Sequence, residues 1–375
     1  MTTNTRREFR RYVSVALAGL LLSGWAQGSW ASWKSEWEKV VRRAKSEGKV
    51  VVSLPPSAEL RRRLEEAFER RFTGIDLEPV LDMGAKNIRR MIDESRAGVR
   101  YFDVHVGGAS GMITGLVPAG VVVPLEPYML LPEVSDPKSW WGGHIYTDEA
   151  KRFVYSFSAY LSQNLYRNTN LVNPEEIRSY DDLLNPKWKG KIGFLDPRKP
   201  GPGDATWSYM WDVKGEDYLR RLVQQDLQLT SNVRSLGESL AKGKLAITVG
   251  LSYFLLVPFI RAGLPLKALP IPKEGTYATG GAGNVVALKN PSHPSAAKVF
   301  VNWLLSKEGQ EIFGKAMGHA TRRLDVDTAW LYKIGYVPAK DGITVQEYYK
   351  YENQSRERID RVRLPARKFA RKLLK

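Results

Sequence analysis

The chain reads as an α/β protein of two lobes, each built on a mostly parallel sheet flanked by helices. Three observations predict this. Short β-branched runs alternate with amphipathic helical stretches at the spacing of βα units. The 375 residues exceed what one hydrophobic core commonly fills, about 250–300. A stretch rich in Pro, Gly and Trp, "LPEVSDPKSWWGGHIYTDEA" (131–150), reads as a linker or a surface excursion between lobes before the rhythm returns.

The elements follow in order. "SWKSEWEKVVRRAKSEG" puts Trp33, Trp37, Val40 and Ala44 on one helical face, with Gly48 as the stop. The strand "KVVVSL" and the turn "PPS" lead to a helix capped by Ser57, with Leu60, Leu64, Phe68 and Phe72 at fourfold spacing. "IDLEPVLDMG", "AKNIRRMIDESRAG" and "YFDVHVGG" give strand, helix, strand; "GAS" opens another helix, and "VVVPLEP" closes the series. After the interruption come "RFVYSFSAYLSQNLY", "KIGFLDP", a helix from about Gly203, "LQLTSN", a helix over 234–242 and a strand over 244–250. "GTYATGGAGNVVALKN" precedes one helix, "SAAKVFVNWLLSKEGQEIFGKAMG", that packs Val299, Trp303 and Phe313. The expected organisation is an export signal over 1–31, a first lobe of 32–130 with 270–325, and a second lobe of 131–269. An extension over 326–375 follows.

The formal charge of +17 is unevenly spread. The last fifteen residues carry seven Lys/Arg and no acid, whereas no basic stripe interleaved with aromatics runs through the body. Nucleic acid is therefore not an expected partner. In the tail, Phe369 and Leu373 with Ala366 and Ala370 form a narrow apolar face on a cationic helix, which docks on the body or touches an acidic surface such as lipid headgroups. At the other end, "TNTRREFRR" precedes fifteen mostly apolar residues (12–26), too few to span a bilayer. Ser29 and Ala31 suit cleavage before Ser32. Arg6-Arg7 with Phe9 resembles the twin-arginine export signal, from which Arg10 departs. The expected location is the periplasm. With no cysteine, disulfides, thiolate catalysis, cysteine zinc sites and a lipid anchor are all excluded.

Enzyme signatures fail one by one. "GGASGM" lacks the second glycine of a nucleophile elbow, "GGAGNVV" and "GPGDAT" lack the third glycine of a dinucleotide loop, and no P-loop is present. His105, His144, His293 and His319 have no paired ligand spacing; His105 reads as a satisfied strand residue and His293 as a turn or cap residue. Neither catalysis, a resident metal nor a cofactor is expected. What remains are glycine-bearing strand-to-helix loops, "VGGASGM" (106–112) and "DPRKPGPGDATWSYM" (196–210), plus Ser252 and Tyr253 in the break after "KLAITVG". Backbone N–H groups and about half a charge of helix dipole face whatever sits at such loops. In open α/β sheets, ligands lie at the carboxyl ends of strands.

The segments "EWEKVVRRAKSEGKVVV", "LEEAFERRFTGIDLEPV", "FDVHVGG", "PLEPY", "YDDLLNPKWKGKIGFLDP" and "NPSHPSAAKVFVNWLLSKEGQ", in this order, resemble the solute-binding proteins of ABC importers, ferric-iron-type group. The resemblance spans about residues 33–325. It implies a two-lobed type II periplasmic-binding-protein fold with the ligand in the cleft, and delivery to an ABC permease in the inner membrane. A free monomer is expected; a sensor input protein would share the fold. The cleft floor would be Gly108, Ala109 and Ser110 from one lobe and Gly203, Asp204, Ala205 and Thr206 from the other. Trp207, Tyr160, Tyr277, Ser252 and Tyr253 would wall it.

Ferric-binding members place two adjacent tyrosines where this chain has Tyr253-Phe254, and add a histidine and a carboxylate that "SLPPSAE" and "VGGASGM" lack. One phenol does not satisfy a hard trivalent cation. Iron held by Tyr253 and Asp204 is therefore the alternative, as is an exported enzyme using the same cleft. The expected ligand is a small organic solute with an anionic group, captured by lobe closure.

Overall fold

The computed structural model describes residues 33–82, 84–161 and 164–375, so the export signal expected over 1–31 lies outside the described residues. Among the described residues, fourteen strands make three sheets. In the first, β1 (Lys49–Leu54) runs parallel to β2 (Asp76–Leu81) and β3 (Val104–Gly107). Antiparallel β13 (Asn284–Leu288) joins β3 to β4 (Val122–Val123) and β5 (Tyr155–Ser156). The second has the order β11-β7-β10-β8-β9. Here β8 (Ile192–Leu195) is parallel to β9 (Gln228–Thr230) and β10 (Ile247–Val249), while β7 (Leu165–Asn168) is antiparallel to β10 and β11 (Leu266–Ala268). Between them, β6 (Tyr160–Leu161) pairs antiparallel with β12 (Ala278–Thr279) and β14 (Val337–Pro338), where the chain crosses from sheet to sheet.

Each large sheet buries both faces. On one face of the first, the helix Ala58–Arg71 starts where the Ser57 hydroxyl accepts the Leu60 N–H, and it buries Leu60, Leu64 and Phe68. Phe68 meets Phe300 and Trp303 edge to face. Each such side chain contributes about 1.5–3 kcal/mol by leaving water. The other face holds Val51, Ile88, Met112 and Val286. The second sheet carries Phe194, Trp207 and Leu219 on one face and Leu236, Leu240 and Leu256 on the other.

Three expectations change. The Trp-rich stretch is no linker: Val134, Trp140, Tyr155 and Phe157 pack in the first lobe's core with Phe300 and Trp303. That lobe therefore runs to about 157, and Leu269 and Tyr277 belong to the second lobe's core. The single helix expected over 295–318 is two, Pro294–Leu305 and Lys307–Met317, because Ser306 (ψ 167°) leaves the helical region and caps the second through its hydroxyl. The extension is not a separate unit. Tyr348 packs beside Ile145 and Ala159, and the ten-residue helix Leu364–Leu373 buries Ala366, Phe369 and Ala370 against the second lobe.

Candidate functional site

The exits of β8 and β10 meet closely enough to demand glycine. A Cβ on Gly250 (φ +90°) would fall 2.7 Å from the Gly203 Cα, and one on Gly203 would strike the Leu195 carbonyl. This approach sets the start of the helical segment Pro202–Val223, which breaks at Gly215 (φ 79°, ψ 178°) and whose first turn carries Asp204.

Asp204 is fully buried, and its partners come from the C-terminal segment. Arg363 Nε donates to Asp204 Oδ2 at 3.0 Å; Arg367 donates through Nε to Oδ1 at 2.9 Å and through Nη2 to Oδ2 at 2.8 Å. Arg363 Nη1 reaches the other lobe, donating to Ser110 Oγ at 2.7 Å. Gln354 lies beside this contact. Its Oε1 accepts the Ser110 N–H at 3.3 Å, and its Nε2 donates to Thr279 Oγ1 at 3.1 Å and to the Gly281 carbonyl at 2.9 Å. A Cβ on Gly108 would lie 3.0 Å from Gln354 Oε1, so glycine lets the two approach without displacing the amide. Behind Gln354, the buried Glu352 accepts N–H donors from Gln354 and Gly280, and burial pushes its carboxyl up to about 7.

A second cluster sits at the crossing strands. His319 Nε2 accepts the Ala282 N–H at 3.0 Å, so Nδ1 carries the proton and donates to the Met317 carbonyl. Tyr160 then donates its hydroxyl to the same Nε2 at 3.2 Å. Burial holds His319 down to about 4, hence neutral. The Tyr336 hydroxyl accepts the Tyr253 N–H at 3.1 Å and donates to Asn164 Oδ1 at 3.3 Å. Tyr253 heads the helix Tyr253–Arg261 of the second lobe, and its ring lies against Gly318 of the first. At the far end of that helix, Arg261 pairs with Glu59 at 3.1 Å; this bond, and one from Arg63, hold the Glu59 carboxyl at about 2.

The twelve sequence-predicted positions therefore divide. Gly108, Ser110 and Asp204 converge on the Arg363–Gln354 network, with Gly203 shaping its floor. Tyr160 and Tyr253 meet at Tyr336, with Ser252 the residue before the helix. The others are packing groups rather than cleft walls. Ala109 and Ala205 are buried in the two lobes' cores, and Thr206 Oγ1 donates to the Pro202 carbonyl. Tyr277 is buried with its hydroxyl accepting from Asn164, and burial raises it. Trp207 is enclosed between Phe194 and Phe369 and donates its Nε1–H to the Ala366 carbonyl. Sequence reasoning missed Arg363, Arg367, Gln354 and Glu352. The available signal was the i, i+4 spacing of Arg363 and Arg367 beside the apolar face.

Chemically, two guanidiniums share one carboxylate at the lobe junction, which favours an anion. Iron on Tyr253 and Asp204 fits poorly, because both Asp204 oxygens are engaged by arginines and a ferric ion would face two cations. Among the described residues, no group of three or more His, Cys, Asp or Glu has metal-holding geometry, and no helix is long and apolar enough to cross a membrane.

Residues 43–317 match the model of a bacterial extracellular solute-binding protein family. An uncharacterized protein of Haemophilus influenzae is 32% identical over 193 residues, 50% of this chain and 54% of its own; the chain thus spans about half the length of this curated relative. Similar solved structures include the periplasmic binding protein AfuA from Actinobacillus pleuropneumoniae with exogenous fructose-6-phosphate bound (20% identity, 84% of this chain, 96% of that one, TM-score 0.60). Iron-bound HitA from Pseudomonas aeruginosa (17%, 87% and 99%, 0.64) and the ferric binding protein from Campylobacter jejuni (16%, 86% and 99%, 0.63) are others. At these identities the likeness establishes the fold, a two-lobed periplasmic-binding-protein architecture.

Proposed function

The chain belongs to the bacterial extracellular solute-binding proteins, and we propose that within that family it captures a small organic solute bearing an anionic group. Capture closes the two lobes, and the closed form delivers the solute from the periplasm to an ABC permease. One observation carries this reading: the exits of β3 and β8, one from each lobe, face each other across a network in which the buried Arg363 and the partly buried Arg367 share the fully committed carboxylate of Asp204. A guest that touches both exits favours the closed form by its differential affinity. Moving lobes from mostly open to mostly closed takes about 5.5 kcal/mol of such preference. The junction also holds two direct lobe contacts, Tyr253 on Gly318 and Arg261 with Glu59, so the closed surfaces are partly matched without a guest.

Mass spectrometry of whatever co-purifies with the natively exported protein tests the reading. The expected result is a small molecule carrying a phosphoryl or carboxylate group at near one per chain. Recovery of iron alone, or of a neutral or cationic solute, overturns it.

A further inference from the structure

Arg363 comes from the C-terminal segment, beyond the family match that ends at residue 317, and it is only 5% exposed. Its guanidinium is anchored along one edge: Nε and Nη2 both donate to Asp204 Oδ2. The anchoring leaves Nη1 aimed across the cleft, where it meets Ser110 Oγ at 2.7 Å. Arg367 shares the same carboxylate, so Asp204 balances only one of two cations. Ser110 presents two further donors at this point. Its hydroxyl, while accepting from Arg363, keeps its own proton to give, and its N–H makes only a long 3.3 Å bond to Gln354 Oε1. Three donors from two lobes thus lie at the Arg363–Ser110 contact.

We propose that Arg363 Nη1, the Ser110 hydroxyl and the Ser110 N–H form the seat of the solute's oxyanion, a phosphoryl or carboxylate group that enters between Arg363 and Ser110. This rests on the solute-binding reading above and assigns its recognition to a residue outside the matched family region. One acceptor oxygen serving both Nη1 and Oγ requires them roughly 5 Å apart, twice a normal bond at a bent angle. The lobes therefore part by roughly 2–3 Å at this contact, a small fraction of what hinged lobes commonly travel. The anchored, planar guanidinium loses little freedom on binding, which suits it to a phosphoryl or carboxylate group. Gln354 yields readily, since its Nε2 bonds to Thr279 and Gly281 hold it in place without Ser110.

The test is calorimetric titration of the mature chain with inorganic phosphate, fructose 6-phosphate and citrate, with fructose as the neutral control. The variants are Arg363→Gln, Ser110→Ala and the exposed Lys368→Gln. Wild type binds at least one of the three anions and not fructose. Arg363→Gln weakens that anion about ten- to hundredfold and Ser110→Ala about tenfold, the scale of a lost charged or neutral hydrogen bond. Lys368→Gln binds as wild type. Should Arg363→Gln not fold, Ser110→Ala decides alone, because the Asp204 pairs stay intact in it. Anion binding by wild type that is unchanged in Ser110→Ala and in folded Arg363→Gln overturns the seat while the solute-binding reading stands. Tight binding of fructose with none of the anions overturns both. Preference for fructose 6-phosphate or for citrate distinguishes a phosphoryl from a carboxylate guest.

Discussion

Asp204 concentrates the chemistry of single residues in this molecule. It is fully buried, and its two arginines lie about 160 positions further along the chain. Removing one side of a buried ion pair leaves uncompensated charge, and here Asp204→Ala leaves two guanidiniums. The expected loss is about 3–5 kcal/mol, read as a lower urea midpoint at unchanged slope. Titration adds a second residue-scale prediction. Burial holds His105 and His319 down to about 4, so the unfolded chain binds more protons than the native one between 4 and about 6.5, and stability rises with pH through that window. Glu352, pushed up to about 7, does the reverse: the native state holds the extra proton from about 4.5 to 7, and stability falls with pH there. Two rising contributions against one falling give a maximum in thermal stability near pH 6.5. Glu352→Gln removes the decline above that maximum, whereas a wild-type melting temperature that climbs steadily to pH 8 contradicts the assignment. The sequence placed Asp204 on the expected cleft floor. It could not show the arginines that engage it, because an ion pair across such a separation leaves no local pattern.

At the scale of elements, the sequence was legible wherever periodicity carries the signal. Leu60, Leu64 and Phe68 spaced by four marked the helix they form, and the apolar stripe of the C-terminal helix matches Leu364–Leu373. It failed where composition misleads. The Trp- and Pro-rich stretch around 131–150 looked like surface, yet Trp140 is among the largest fully buried side chains, donating its Nε1–H to the Val134 carbonyl beneath the Arg322 and Arg323 guanidiniums. The face a helix docks on is equally silent in sequence. Phe369 stacks on Trp207 at 6.4 Å and carries the Arg220 guanidinium on its ring, so it ties the C-terminal helix to the helix bearing Asp204. Phe369→Ala is expected to cost about 3–5 kcal/mol in chemical denaturation, and to weaken anion binding with it by loosening Arg363 and Arg367. A variant that is destabilised but binds at full affinity would separate the helix from the site.

For the whole molecule, two lobes and their βα order could be read from length and rhythm, but the crossing strands could not. β6, β12 and β14 are two residues each, below what any pattern resolves. They join the two lobes. Tyr253 against Gly318 and Arg261 with Glu59 hold the lobes together at the edge of the cleft, and an exposed ion pair of this kind is worth at most about 1 kcal/mol. Glu59→Ala alone is therefore expected to leave the scattering profile nearly unchanged. Tyr253→Ala combined with it should raise the radius of gyration, and a solute that binds should bring it back. Identical profiles for all of these states would mean that the lobes do not move.

The helix Leu364–Leu373 is translated after every strand of the three sheets. A polypeptide interrupted shortly before residue 363 would still contain every strand of all three sheets, yet it would lack the guanidinium that reaches Ser110. Such a product would keep both lobes' strands and lose the proposed oxyanion seat, so on this reading competence to bind requires translation past residue 363.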